Sequence, residues 1–155
     1  MTQAADTAGV PFPPPLAYVL GLLVGLAVEL VVPLGDPATW IRILGGAIGL
    51  ALWLVLDGAA MRRFRRADTP MIPFSPTRVL VTDGVYRHTR NPMYLGMAFL
   101  YAGIALAAGL IWALLLLPVV ILVIDRLVIA REEPYLERKF GEEYRGFKRR
   151  TRRWI

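Results

Sequence analysis

The chain has 155 residues, 56% of them hydrophobic, with a net charge of +6. Its mean hydropathy of +0.51 is too high for an ordinary water-soluble domain of this size, so lipid is the expected solvent for much of it. With no cysteine and a single histidine, disulfides, thiolate metal sites, cysteine nucleophiles and a histidine-rich metal site are excluded.

Residues 1–15, MTQAADTAGVPFPPP, carry no Lys or Arg, so no secretory signal is read there, and the Pro cluster reads as an extended leader. Leu16 to Val32 is almost wholly apolar and, at about 1.5 Å per residue, long enough for a short membrane span. Gly21 and Gly25, four apart in it, offer a close approach to another helix, although the composition bias of a membrane helix explains them equally well. PLGDP, residues 33–37, is a turn. A second span is predicted from Trp40, suited to an interface, to Ala60. It stops at MRRFRR, residues 61–66, which reads as a cytoplasmic stop signal. Pro70, Pro73 and Pro76 then forbid a long helix across residues 67–82.

Between Pro92 and Ala130 only Asp125 and Arg126 are charged. One helix of that length would reach about 58 Å, nearly twice a hydrocarbon core of about 30 Å, so the chain must fold back. The small run Ala107–Gly109 is the best place for the turn, with Trp112 at the interface. That gives a third helix from Pro92 to Ala107 and a fourth from Leu110 to Ala130, kinked at Pro118. Of the carboxylates in or near the apolar segments, Asp57 is expected to pair with Arg62 and Asp125 with Arg126; Glu29 is the third. The remaining REEPYLERKFGEEYRGFKRRTRRWI reads as a short amphipathic C-terminal helix, with RKF (138–140) and KRRTRR as headgroup contacts.

All 18 Lys and Arg except Arg42 lie in residues 61–91 or from Arg126 onward. By the positive-inside rule this predicts an all-α membrane bundle of four spans with both termini cytoplasmic. Basic residues so placed set topology and touch anionic lipid, so no nucleic-acid partner is expected. The whole chain, 1–155, is read as one domain: two helices in 1–66, a cytoplasmic loop in 67–91, then the hairpin and a cytoplasmic tail in 92–155.

The stretch that organises the rest is VTDGVYRHTRNPMYLG, Val81 to Gly96, which gathers Arg87, His88, Arg90, two Tyr and an Asn-Pro at the mouth of the third helix. An antiparallel hairpin brings Arg90 and the pair Glu132-Glu133 to the same membrane face. A site there would meet a charged soluble cofactor from the cytosol and an apolar partner from the bilayer. The bland alternatives are that Arg90 and Tyr94 are interfacial anchors, His88 a surface histidine and the Glu pair the start of a solvated helix.

GVYRHTRNPMY followed after the hairpin by EEPYLERKFGEEYRGF resembles the superfamily of isoprenylcysteine carboxyl methyltransferases and phospholipid methyltransferases, over residues 79–155. The resemblance implies S-adenosylmethionine as cofactor, bound at the cytoplasmic ends of the last two membrane helices. The family's Arg-His-Pro-x-Tyr falls on Arg90, Asn91, Pro92 and Tyr94. Its Glu pair falls on Glu132 and Glu133, with Leu136 following, and its Phe-Gly-x-x-Tyr on Phe140, Gly141 and Tyr144. Asn91 stands where the carboxyl methyltransferases carry His, which turns the likeness away from a prenylcysteine substrate and toward the broad bacterial branch, implying a bacterial inner membrane. The candidate catalytic residues are Arg90 and Glu133. The candidate cofactor-binding residues are Tyr86, His88, Asn91, Tyr94, Glu132, Glu133, Leu136 and Tyr144, with no metal. The cofactor's ammonium suits a Glu and its carboxylate an Arg or His, while Tyr86, Tyr94 or Tyr135 can stack on adenine or face the sulfonium. The expected acceptor is a lipophilic or amphipathic small molecule with a carboxylate, thiol or amine. A non-enzymatic membrane protein and a membrane reductase of related fold using a nicotinamide cofactor are the competing classes.

Overall fold

The structure is a computed structural model that describes residues 7–69 and 76–155. The start of the leader and the loop prolines Pro70 and Pro73 lie outside the described residues. All regular structure among the described residues is helical: α1 Pro14–Val31, α2 Thr39–Arg66, α3 Pro92–Ala108, α4 Ile111–Val123, α5 Ala130–Phe140 and α6 Glu142–Arg150. A 3₁₀ turn, Gly84–Arg87, precedes α3, and a π-helical segment, Ile124–Ile129, joins α4 to α5.

Three helices are long and apolar enough to cross a membrane: Pro14–Val31, Thr39–Arg66 and the continuous Ile111–Phe140. The 17-residue α3 is shorter and is apolar throughout. Leu30 and Val31 on α1 and Trp40, Ile43 and Val55 on α2 are more than 60% exposed, a surface that suits lipid and not water. The chain is an integral membrane protein.

α3 is the central element, packed mainly against α2 and also against α4 and α1, while α1 lies along α4. Small residues permit these contacts. A Cβ added at Gly49 would lie 2.6 Å from the Gly103 Cα, and one at Gly25 would lie 2.5 Å from the Ala113 Cα, so both pairs of backbones touch where no side chain fits. The Gly21–Gly25 spacing therefore serves packing of α1 on α4, where Gly21 faces Val120 and Tyr101.

The helix ends follow from local chemistry. Pro92 opens α3 at a position where a missing N–H costs nothing. Gly109, at φ +74°, closes α3 in the left-handed conformation, at the predicted turn. The α4 start is then satisfied from across the bundle: the Trp112 backbone N–H donates to Glu29 Oε2 at 3.1 Å. Arg42 braces the same end, with Nε donating to the Ala107 carbonyl at 3.1 Å and Nη1 paired to Asp36 at 3.0 Å.

Two boundaries differ from expectation. α2 continues past Ala60 to Arg66, because Arg is a good helix former and Arg63, Arg65 and Arg66 oppose the negative end of the helix dipole. The fourth apolar helix does not stop near Ala130 but runs on through α5 to Phe140. Pro118 lies inside α4, and the departure from α-helical bonding comes further on, at Ile124–Ile129. That π segment absorbs one extra residue. At about 100° per residue, an unbroken α-helix would place Arg131 below the buried stripe of Ala113, Val120 and Ile124. With one residue taken up in the bulge, Glu132 and Leu136 continue the stripe instead.

Two cores result. One, around Tyr101, Ile124, Val128 and Ile129, lies among the apolar helices, and the other, of Ala60, Tyr86, Tyr144 and Phe147, lies where the 3₁₀ turn and α6 close over the helix ends.

Candidate functional site

Between these two cores lies a cavity of about 640 Å³. Its apolar part is formed by Pro13–Pro15 at the start of α1, Trp53 on α2, and Met97 and Leu100 on α3. Its polar part is formed by Arg90, Asn91 and Tyr94 at the start of α3, by Glu132 and Glu133 on α5, and by Tyr86, Tyr144 and Asp57, with Leu136 of α5 beside them. The volume is in the range of small-molecule and cofactor sites, about 300–1,000 Å³.

The hairpin does what its topology requires. Arg90 Nη2 donates to Glu133 Oε1 at 2.8 Å, with both side chains nearly buried, and the Tyr94 hydroxyl donates to Glu132 Oε1 at 2.6 Å. The two glutamates thereby acquire different environments. Both oxygens of Glu133 are engaged by guanidinium groups: Oε1 accepts from Arg90 and from Arg153 Nε at 3.0 Å, and Oε2 accepts from Arg153 Nη2 at 2.6 Å. Glu132 has the neutral Tyr94 hydroxyl as its partner, and no guanidinium engages it on the cavity wall.

Arg153 reaches Glu133 because the C-terminal tail folds back beneath the mouth of α3. Its guanidinium also meets Asp125 at 3.1 Å, and Trp154 Nε1 donates to Asp125 Oδ1 at 3.1 Å. The tail backbone is bound in turn: the Arg153 carbonyl accepts from Asn91 Nδ2 at 2.9 Å and from the Thr89 hydroxyl at 3.2 Å, and the Arg152 carbonyl accepts from the Arg90 N–H at 2.9 Å. Asn91 thus fastens the tail while lining the cavity. Hydrogen bonding to Glu133, reinforced by the charges of Glu133 and Asp125, raises Arg153 above its ordinary value. Burial first, then the negative charge of Asp57 and Glu132, pushes the Tyr86 hydroxyl well above the tyrosine range, and burial does the same at Tyr144. Both rings are neutral aromatic walls.

Of the sequence-predicted site residues, Arg90, Glu133, Tyr86, Asn91, Tyr94, Glu132, Leu136 and Tyr144 all line this one cavity. His88 does not; it lines a second cavity on the other side of the 3₁₀ turn.

Asp57 does not pair with Arg62, as expected from sequence. The two stand five apart on α2, a spacing that turns them to different faces. Asp57 points instead toward the cavity over Gly96, where an added Cβ would collide with its Oδ2. Asp125 does approach Arg126, at 3.8 Å, but its shorter contacts are with Arg153. Among the described residues, two buried side-chain polar atoms have no hydrogen-bond partner, Arg90 Nε and Asp57 Oδ2, and both residues line this cavity. Buried polar groups are seldom left unpaired, so a cavity bordered by an orphan donor and an orphan acceptor is suited to a ligand bearing both signs of charge.

Comparison with known proteins now bears on what that ligand serves. The sequence model of the phospholipid methyltransferase family matches residues 41–143, well over half of the chain. The chain belongs to the phospholipid methyltransferase family. An uncharacterized protein of Haemophilus influenzae is 46% identical over 63 residues, which is 41% of this chain and 100% of that protein. No solved structure matches significantly. As a membrane methyltransferase of this family, the protein carries its cavity within the matched region except for the leader residues and, on α6, Tyr144 and Phe147.

The sequence carried no local signal for the Arg153 clasp. KRRTRR reads as headgroup contacts until the fold shows the tail returning to Glu133. Trp53, Met97 and Leu100 were equally hidden, being apolar residues in apolar helices. Asp57 was visible as an intramembrane carboxylate, but its surroundings were not.

Proposed function

We propose that the protein transfers a methyl group from S-adenosylmethionine to a membrane-dissolved or amphipathic small molecule bearing a carboxylate, thiol or amine. The observation that carries this reading is the pair of partnerless buried atoms, Arg90 Nε and Asp57 Oδ2, on the cavity that also holds Glu132. Methyltransferases of this family generally use S-adenosylmethionine, whose ammonium, carboxylate and adenine match a free acid, a free guanidinium donor and aromatic walls. When bound, that cofactor supplies an electrophilic methyl on a sulfonium.

The residues divide the work by environment. Glu132 takes the ammonium and is held in place by Tyr94. Arg90, anchored by Glu133 at 2.8 Å and by the Lys148 carbonyl at 3.3 Å, offers Nε to the carboxylate of the cofactor or of the acceptor. Tyr86, Tyr94 or Tyr135 stacks on adenine. Glu133 and Arg153 act through Arg90 by fixing its direction. Tyr86, Tyr144 and Phe147 exclude water, so alignment of the reactants provides most of the acceleration. A carboxylate or thiolate acceptor needs no base. An amine acceptor must lose a proton, for which Glu132 and Asp57 are the carboxylates at hand.

In the cell we place the protein in a bacterial inner membrane with four spans, α3 the shortest, and both termini cytoplasmic. The cofactor then enters from the cytosol and the acceptor from the bilayer past Trp53 and Pro13–Pro15. The test incubates purified protein with methyl-labelled cofactor and a lipid extract. Label in the lipid-soluble fraction supports the reading, and absence of both cofactor binding and label refutes it.

A further inference from the structure

On the opposite side of the 3₁₀ turn, away from Tyr86 and the first cavity, lies a second concavity of about 670 Å³. Its walls are Arg62, Arg63 and Arg66 from the end of α2 and Arg87-His88 from the turn, with Asp83 at the rim. We propose that it binds a phosphate-bearing anion. Arg62 and Arg66 are four apart and share a helix face with Arg63 beside them. Asp83 pairs with Arg63. Among the described residues, Arg62, Arg66 and Arg87 have no ion-pair partner, so four guanidinium groups face a single carboxylate.

Topology alone asks for positive charge on this side of the membrane, but not for charges gathered around a hollow. Arg87 and His88 come from a turn more than twenty residues away, and the turn is held there by chemistry of its own. Gly84, at φ +61°, lies flat against Arg63, whose Nε would be 2.6 Å from an added Cβ. Ala59, Gly84 and Val85 leave the floor free of bulky side chains. Guanidinium groups are the side chains best matched to phosphate oxygens, which they bind in pairs of parallel hydrogen bonds. The concavity lies at the end of an apolar span, where basic pockets meet lipid phosphates. A phospholipid headgroup and a free phosphate compound share this chemistry. Either would clamp the turn whose other side carries Tyr86.

The experiment uses the full chain in neutral detergent. Retained phospholipid is measured by native mass spectrometry after addition of phosphatidylglycerol, and inorganic pyrophosphate is titrated separately by thermal shift. The test variant is Arg62→Gln/Arg66→Gln/Arg87→Gln, which spares the Arg63–Asp83 pair. The control is Arg149→Gln/Arg150→Gln on exposed positions of α6, and circular dichroism confirms that both fold. Retention of phosphatidylglycerol by the unaltered chain, at least tenfold weaker in the triple variant and not in the control, assigns the site to a headgroup. A pyrophosphate shift lost in the same variant assigns it to a soluble phosphate compound. Binding of neither, or equal loss in variant and control, overturns the proposal.

Discussion

The two adjacent glutamates should respond in opposite ways to the same substitution. Glu133 is 12% exposed and Arg90 11% exposed, and Glu133 is gripped on both oxygens. In Glu133→Gln, Arg90 loses its anionic partner, keeping the Lys148 carbonyl at 3.3 Å, while Arg153 keeps Asp125. Breaking a buried ion pair by removing one partner costs about 3–5 kcal/mol. The glutamine oxygen still accepts one bond and Arg153 keeps an acid, so the expected loss is near the lower end, about 3 kcal/mol. Glu132→Gln is different. The Tyr94 hydroxyl can donate to the glutamine oxygen as it does to Glu132 Oε1, so the fold should be little changed. What disappears is the charge proposed to face the cofactor's ammonium, a charge-assisted bond of about 1.5–3 kcal/mol, or roughly ten- to a hundredfold in affinity. The assay is denaturant unfolding of detergent-purified protein, with and without S-adenosylmethionine at a hundred times its dissociation constant for the unaltered chain, where binding stabilises by about 2.7 kcal/mol. We expect low stability with a surviving ligand shift in Glu133→Gln, and normal stability with a reduced shift in Glu132→Gln. Wild-type stability in Glu133→Gln, or an undiminished shift in Glu132→Gln, would refute the division of roles.

Arg90→Lys should lower methyl transfer into the lipid fraction at least tenfold, about 1.4 kcal/mol, because one ammonium cannot span Glu133, the Lys148 carbonyl and a ligand; full activity in a labelled-cofactor assay would refute it. If that variant still binds cofactor normally by titration, Arg90 serves the acceptor. Gly49→Leu should destabilise by about 1–3 kcal/mol or more, since its Cβ alone would meet Gly103 at 2.6 Å; an unchanged unfolding midpoint would show that α2 and α3 are less closely fitted. For orientation, cysteines at Asp36 and Ala108 should react with an impermeant thiol reagent added to intact cells, and one at Thr77 should not; outside labelling at Thr77 overturns the arrangement.

The fold was readable where the signal is additive over many residues. Apolar run length located the helices, and the glycine of Ala107–Gly109 marked the turn. The meeting of Arg90 and Tyr94 with the Glu pair followed from an antiparallel hairpin alone. Helix ends were less legible, because Arg63, Arg65 and Arg66, and the Arg, Glu and Lys residues within 131–139, are charged yet favour helix, so a drop in hydropathy did not mark a stop. Asp57 lies toward the same end of α2 as Arg62, but a spacing of five turns the two to different faces, which an end-of-helix argument does not capture. Arg153 and Trp154 were out of reach, since their positions depend on a chain reversal held by Asn91 and Thr89.

The π segment makes the chemistry of the cavity a matter of chain length as well as residue type. Upstream of Ile124 the helix is committed to α1 and α3, and downstream its residues form a wall of the cavity. A single added residue in a regular helix would turn the second half by about 100°, and the π segment takes that residue up without turning it. Taking that residue out would close the bulge and leave Glu132 on the wall, whereas a regular α-helix of the present length would bring Arg131 there and reverse the sign of the charge a ligand meets. Relatives with the same Glu-Glu pair but a regular helix would thus need one residue fewer between it and α4, so an alignment that matches the acids across a one-residue gap there would be matching the same wall.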